Sequence, residues 1–343
     1  MRTTAKSAPA DGRPRAVVDR RIALIELVHA LAFEDGGNLR VAFNSGLAYS
    51  ESARAHFGRS RGHPALKLYR ESGLDRISAF KLSLRALSLP GPFFDGNPLF
   101  WNPGGDTNRP QMIELLQALV AFARDAKAEA FFESQAPFFR KLESGLDRDI
   151  ARSDYTGILR RYSGLEIAAD YNIWVCPLLR QPTSSVDFKV KRPRVDTFWP
   201  PAAVRDGSPD FAYGRRGPVV WHELGHVLLD DLAETHAAAI GAAAPAAPLD
   251  PHLYGGDWKR WVLESAAQGL ANRVLAWALE QELVQGGTKL MPGTMYLEPV
   301  EESLREYEAD RKKYPTLREF YPCLIAAIAS AARSKKARRR GTV

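Results

Sequence analysis

One stretch constrains this chain more than any other: Val219-Val220-Trp221-His222-Glu223-Leu224-Gly225-His226-Val227-Leu228-Leu229-Asp230. Pro218 stands just before it and suits the first turn of a helix, because it has no N–H to leave unpaired there. The pattern predicts a helix over 218–232, and apolar residues on both sides of the histidines predict that it is buried. In such a helix His222 and His226 are i and i+4. They share one face, with Cβ atoms roughly 6 Å apart.

Two imidazoles so placed suit one Zn²⁺, at about 2.0–2.1 Å from each ring nitrogen. Glu223 lies about 100° further round the helix and does not join the same ligand plane. Its expected place is beside the metal's water, as a general base. The metal would lower that water's pKa and polarise a carbonyl. Histidine is scarce, 7 of 343 residues. Chance placement of H-E-x-x-H is then on the order of 1 in 100. Gly225 costs ~1 kcal/mol relative to Ala in mid-helix. Its position between the two histidines fits close approach by another backbone, or a simple packing contact.

A catalytic zinc needs a third protein ligand and an open position. Leu229 and Leu232 stand where a metzincin would continue with Gly and His. Glu264, in "WVLESAAQGLANRV", is the best candidate: it sits among apolar residues, where a carboxylate wants a metal or a cation. Ala266, Ala267 and Gly269 would let its helix approach the motif helix. Gln268 and Asn272 follow at i+4 and i+8 as candidate hydrogen-bonding support. His236, Glu234, Asp230, Asp231 and His252 are the alternatives. His29, His56 and His63 have no local ligand spacing and read as structural.

The rest of the sequence bounds the setting. Only two cysteines, Cys176 and Cys323, are present. They are not a disulfide framework, and a reduced, cytoplasmic location is expected. No run approaches the ~18 to 20 apolar residues of a membrane span, and the basic N-terminus lacks the apolar segment of a secretory signal. The net charge of +7 lies mostly in the ends. Arg333, Lys335, Lys336, Arg338, Arg339 and Arg340 crowd the C-terminus, and Arg2, Lys6, Arg13 and Arg15 the N-terminus. The body between is close to neutral, which argues against a nucleic-acid surface. Nucleic acid or anionic lipid is a lesser reading for the C-terminal tail.

Four regions follow from the patterning. Residues 1–16 read as a disordered basic tail and 17–164 as a helical region, beginning with an amphipathic helix in "IALIELVHALAF". Residues 165–332 read as the catalytic region, with strands over 165–216, the motif helix, and helices over 257–332. Residues 333–343 read as a second basic tail. "NIWVCPLL" is a candidate edge strand for pairing with an extended peptide. The Ala- and Pro-rich 237–257 segment reads as a connection or lid. Asp257 is a candidate N-cap for the following helix. Tyr254, His252 and Tyr296 are candidate donors to a developing oxyanion.

With these blocks in hand, the chain resembles the bacterial proteins grouped as domain of unknown function 4932, which are similar to gluzincin-type zinc metallopeptidases. "VVDRRIALIELVHALA", "GHPALKLYRESGLDRISAFKLSL", "FFESQAPFFRKL", "VVWHELGHVLLD" and "ESAAQGLANRV" carry the resemblance, in that order. Arg20 and Ala23 depart from it, standing where Pro and Glu are expected. The resemblance implies a zincin fold and a glutamate as third ligand. The expectation is therefore an α+β, zincin-like hydrolase with one Zn²⁺ on His222, His226 and Glu264. Its substrate would be a peptide or protein, with Glu223 as base. The rival is a catalytically silent peptide-binding module on the same fold.

Overall fold

The computed structural model describes residues 14–33, 43, 46–74, 109–179, 183–187, 193–201, 203–205, 208–211, 217–245, 256–284 and 296–340. In chain order the elements are β1 (Arg15–Val17), α1 (Arg20–Ala32), α2 (Ala48–Phe57), α3 (Pro64–Glu71), α4 (Arg109–Asp125), α5 (Ala128–Ser134), α6 (Ala136–Arg152) and α7 (Tyr155–Ser163). Then come β2 (Asp170–Val175), β3 (Thr183–Asp187), β4 (Arg194–Trp199), β5 (Ala203–Arg205) and β6 (Ser208–Asp210). The last are α8 (Gly217–Thr235), α9 (Ala237–Ala242), α10 (Trp258–Glu280), α11 (Leu297–Ala309) and α12 (Leu317–Arg340). The architecture is α+β. Among the described residues no helix is long and apolar enough to cross a membrane.

The main sheet has the order β1-β2-β4-β3. β1, β2 and β4 run parallel, and β3 is antiparallel to β4, with Thr183 opposite Phe198. The period of two along a strand divides its side chains between two helical layers. Tyr171, Ile173, Val175, Val195 and Trp199 face one core, shared with α7, α8, α10, α11 and α12. Trp174, Cys176, Leu178, Leu179 and Phe198 face the other, shared with α1 to α5. The helical region over 17–164 is thus not a separate body but largely the layer that covers the sheet's far face.

Several expectations change here. Residues 15 and 16, placed in the N-terminal tail, belong to β1. α1 is not amphipathic: Ile22 through Ala32 are all buried. That is possible because it lies beneath the sheet rather than on the surface. "NIWVCPLL" is not an edge. β2 lies between β1 and β4, and the two edges are β1 and β3. The β1 edge is occupied, since Ala16 N donates to Asp147 Oδ1 at 2.9 Å and Val18 N to Glu143 Oε1 at 2.8 Å, both on α6. β3, the other edge strand, has α8 as a neighbour. The segment after α8 carries the short helix α9, and α12 continues through the expected C-terminal tail to Arg340. The helix expected over "RISAFKLSLRAL" lies outside the described residues.

Two elements missing from the sequence reading had local signals. "FFESQAPFFRKL" is two helices, α5 and α6, and Pro137 sits in the first turn of the second. β5 and β6 form a hairpin in which Arg205 pairs with Ser208 across Asp206-Gly207, a strong two-residue turn signature. The Asp257 cap holds: its Oδ1 accepts from Lys259 N at 2.9 Å.

Candidate metal centre

α8 is buried along nearly its whole length because it has apolar side chains on every face. Val220, Leu224, Leu229 and Leu232 are at most 1% exposed. Trp221 is anchored by its indole N–H, which donates to Tyr155 O at 2.9 Å. α10 packs along α8. A Cβ on Gly225 would lie 3.8 Å from Ala267 Cα and 3.4 Å from Leu270 Cδ2. Gly225 therefore makes an ordinary packing contact with α10, the second of its two readings, because a Cβ there would meet nothing closer than 3.4 Å. Gly269 does not serve this contact. It faces α11 instead, where a Cβ would meet Val300 Cγ1 at 2.2 Å.

This packing brings Glu264 of α10 over the histidine face of α8. His222 Nε2 and His226 Nε2 are 3.3 Å apart, and each is 3.7 Å from Glu264 Oε2. Ligand atoms about 2.0–2.1 Å from a tetrahedral zinc would be about 3.4 Å from one another. The histidine–histidine side matches that edge length, and the two sides to Glu264 are about 0.3 Å longer. Among the described residues, these three form the grouping of His, Cys, Asp and Glu able to hold a metal.

The electrostatics favour the ligating forms of the histidines. Burial lowers His222 to about 3, with His226 adding a smaller push, and burial lowers His226 to about 4. Both rings are thus neutral with lone pairs available. Burial raises the Glu264 carboxyl, the Arg260 charge opposes this, and Asp230 adds to it. The side chains of His222 and His226 are 11% and 14% exposed and that of Glu264 is 30% exposed, so the triangle is most open to solvent at the glutamate.

Glu223 is half-buried and is not a corner of the triangle. Its charge acts on Tyr171 of β2, whose hydroxyl is raised mainly by burial and accepts from Thr197 Oγ1 at 3.2 Å. Tyr171 was missed in the sequence. The only trace of it there is an aromatic in a short apolar run, which core packing explains equally well.

The other candidates fall elsewhere. Asp230 is half-buried one turn beyond His226, and burial lifts it to about 6. Asp231 pairs with Arg318 at 3.2 Å, and Glu234 pairs with Lys259. The His236 ring packs 5.7 Å from Tyr321. Tyr296 is 3% exposed and wedged between Trp258 and Trp261, with ring centroids 6.0 Å from each. His252 and Tyr254 lie outside the described residues. Asn272 turns to α11, donating to Glu301 Oε1 at 2.8 Å. Gln268 Nε2 and His222 Nδ1 are both buried without a hydrogen-bond partner.

The three remaining histidines have structural contacts. His29 Nδ1 lies 3.0 Å from Tyr69 OH, His56 Nε2 lies 2.8 Å from Ala126 O, and His63 Nδ1 accepts from Ala65 N at 3.1 Å to cap α3.

Comparison with curated proteins and with solved structures finds no match. One family model, described as Domain of unknown function (DUF4932), matches residues 107–327. That is more than half of the chain. It takes in the sheet apart from β1 and all three residues of the triangle, and it leaves the blocks around α1 and α3 outside. The chain therefore belongs to the DUF4932 family.

Proposed function

We propose that the chain is a zinc-dependent peptidase of zincin-like architecture, with one Zn²⁺ held by His222, His226 and Glu264. The observation that carries this reading is the triangle of ligand atoms near tetrahedral spacing, with a glutamate next to the first histidine. When bound, the ion would polarise a substrate carbonyl and acidify a water. The protein's own part is positioning and proton transfer. β3, the sheet edge beside α8, is suited to take an extended peptide by main-chain pairing. Glu223 takes the proton of the attacking water on its carboxylate and gives it to the leaving amine nitrogen. Apolar walls from α8 and α10 keep the histidines neutral and limit water at the site.

A pure peptide-binding module would use the same edge and has no need of Glu223 as a base. Two measurements decide between them. Metal analysis of the purified chain should give one zinc per molecule, and His222→Ala should lose it. Equal zinc in the two would remove the site. Cleavage of a mixed peptide library by the wild type, absent in Glu223→Gln, would establish turnover. A library left intact by the zinc-loaded wild type would leave the binding module standing.

A further inference from the structure

The sheet's other face buries an acid that the metal centre does not use. Glu26, on α1, is 0% exposed. Its Oε1 accepts from Leu178 N at 3.1 Å and from Leu179 N at 3.0 Å. Leu178 and Leu179 are themselves fully buried, so their N–H groups have no water to turn to. Glu26 Oε2 has no hydrogen-bond partner, and neither has the buried hydroxyl of Tyr49. Tyr49 and the Cys176 thiol both sit close enough to feel the Glu26 charge.

The two leucines lie at a decisive point in the chain. Cys176 N donates to Trp199 O at 2.9 Å, which places the end of β2 beside the end of β4. A turn follows, with Leu179 N also 3.2 Å from Cys176 O. β3 then begins at Thr183, on the far side of β4. Four residue steps reach at most about 14 Å. Where Leu179 is held therefore limits where β3 can start, and β3 is the edge strand that has α8 as a neighbour.

We propose that Glu26 is a positioning residue: from the N-terminal layer it pins the Cys176–Leu179 turn and so sets the place of edge strand β3 beside α8. The link to substrate rests on reading β3 as the strand that takes the peptide. The link to the turn stands on the hydrogen bonds alone. An apolar residue at position 26 would fill the space but leave two buried N–H groups unmatched. Glutamine would keep a carbonyl acceptor where Oε1 now stands.

The test uses the full chain as wild type, Glu26→Gln and Glu26→Leu. Hydrogen exchange is followed by mass spectrometry over 176–187 and over α8, with steady-state peptide cleavage alongside. Leaving buried N–H groups unmatched corresponds to about 10- to 100-fold faster local exchange. Glu26→Leu should show this over 176–187 and leave α8 unchanged, while Glu26→Gln should exchange like the wild type. For cleavage, Glu26→Leu should raise KM and spare kcat, and Glu26→Gln should restore KM. Wild-type exchange over 176–187 in Glu26→Leu would overturn the proposal. Equal acceleration over 176–187 and α8 would also overturn it, because that would mark a merely global stabiliser. A fall in kcat at constant KM would overturn the link to substrate. A wild type that cleaves nothing would count against the peptidase reading, and exchange would still decide whether Glu26 holds the turn.

Discussion

Both faces of the sheet bury ionisable side chains among apolar ones, yet the two arrangements differ in kind. On the N-terminal face Glu26 spends one oxygen on two backbone N–H groups and is closed over on every side. On the C-terminal face His222, His226 and Glu264 bring three possible ligand atoms within 4.8 Å of one another, and the Glu264 side chain is 30% exposed. Desolvation perturbs the groups on both faces, pushing the Glu26 carboxyl well up and the two imidazoles down. Perturbation by burial therefore does not by itself mark a reactive site. The proposed site rests instead on the grouping of His222, His226 and Glu264. The DUF4932 match does not follow this division, since it takes in the C-terminal layer and also α4 and α5 of the N-terminal layer.

The sharpest way to break this contrast is to make the same change on both faces. Glu223→Gln should lower peptide turnover about 10²- to 10⁴-fold, the usual worth of a general base, with zinc content unchanged. Glu26→Gln, equally isosteric, should leave turnover near that of the wild type. Parallel kinetics and metal analysis on the two variants check this. Comparable losses in both would mean that the N-terminal acid takes part in the chemistry and that the contrast is false.

A second test uses protons, on protein stripped of metal with a chelator. His222 and His226 fall from an unfolded value of about 6.5 to about 3 and about 4 in the fold. The folded state thus binds fewer protons than the unfolded state below pH ~6.5. Their contribution is complete above that pH and is lost as the pH falls toward the folded values. Glu26 runs the other way. Its folded value lies above the unfolded ~4.3, so its contribution is present at low pH and is lost as the pH rises. Urea midpoints at pH 5, 7 and 8 read this out. Replacing both histidines by Ala should flatten the loss between pH 7 and 5. Glu26→Gln should flatten the loss between pH 5 and 8. Unchanged slopes in either variant would show that the group concerned does not titrate with folding.

The sequence made the C-terminal face far more legible than the N-terminal one. His222, Glu223 and His226 are read within one helical turn, and local periodicity suffices for that. Glu264 needed one tertiary idea, that a carboxylate among apolar residues wants a partner. Tyr171 and Glu26 were illegible for a common reason. The partners of Glu26 lie about 150 residues away in chain order, and nothing local distinguishes a buried acid on α1 from one on an exposed helix face. The same blindness to long range made α1 look amphipathic and β2 look like an edge, because strand order is set by pairing that local pattern does not encode. Gly269 was assigned to the wrong helix because the residues of α10 that face α8 and those that face α11 are only two positions apart.

That last error gives a smaller prediction about how α10 is held between its two neighbours. Gly269→Ala puts a methyl 2.2 Å from Val300 Cγ1. The side chain of Val300 is short and fully buried, so α10 and α11 must part. Overpacking of this kind costs about 1–3 kcal/mol, read as a lower urea midpoint with an unchanged slope. Wild-type stability would mean that α11 yields freely there.

Gly225→Ala should have the smallest effect and tests the face that carries the proposed metal ligands. Its Cβ would sit 3.4 Å from Leu270 Cδ2 and 3.8 Å from Ala267 Cα. Those are ordinary contacts, and the terminal methyl of Leu270 has room to adjust by a rotamer shift. Alanine also gains up to ~1 kcal/mol of helix propensity over glycine. The two effects nearly cancel, so stability should stay within ~1 kcal/mol of wild type, on the stabilising side. Zinc affinity is the more telling measurement. If α10 keeps its distance from α8, Glu264 keeps its place over His222 and His226, and the affinity is unchanged. A marked loss of zinc without loss of stability would show that the glycine is needed for the approach of α10 to His222 and His226 and not for the fold.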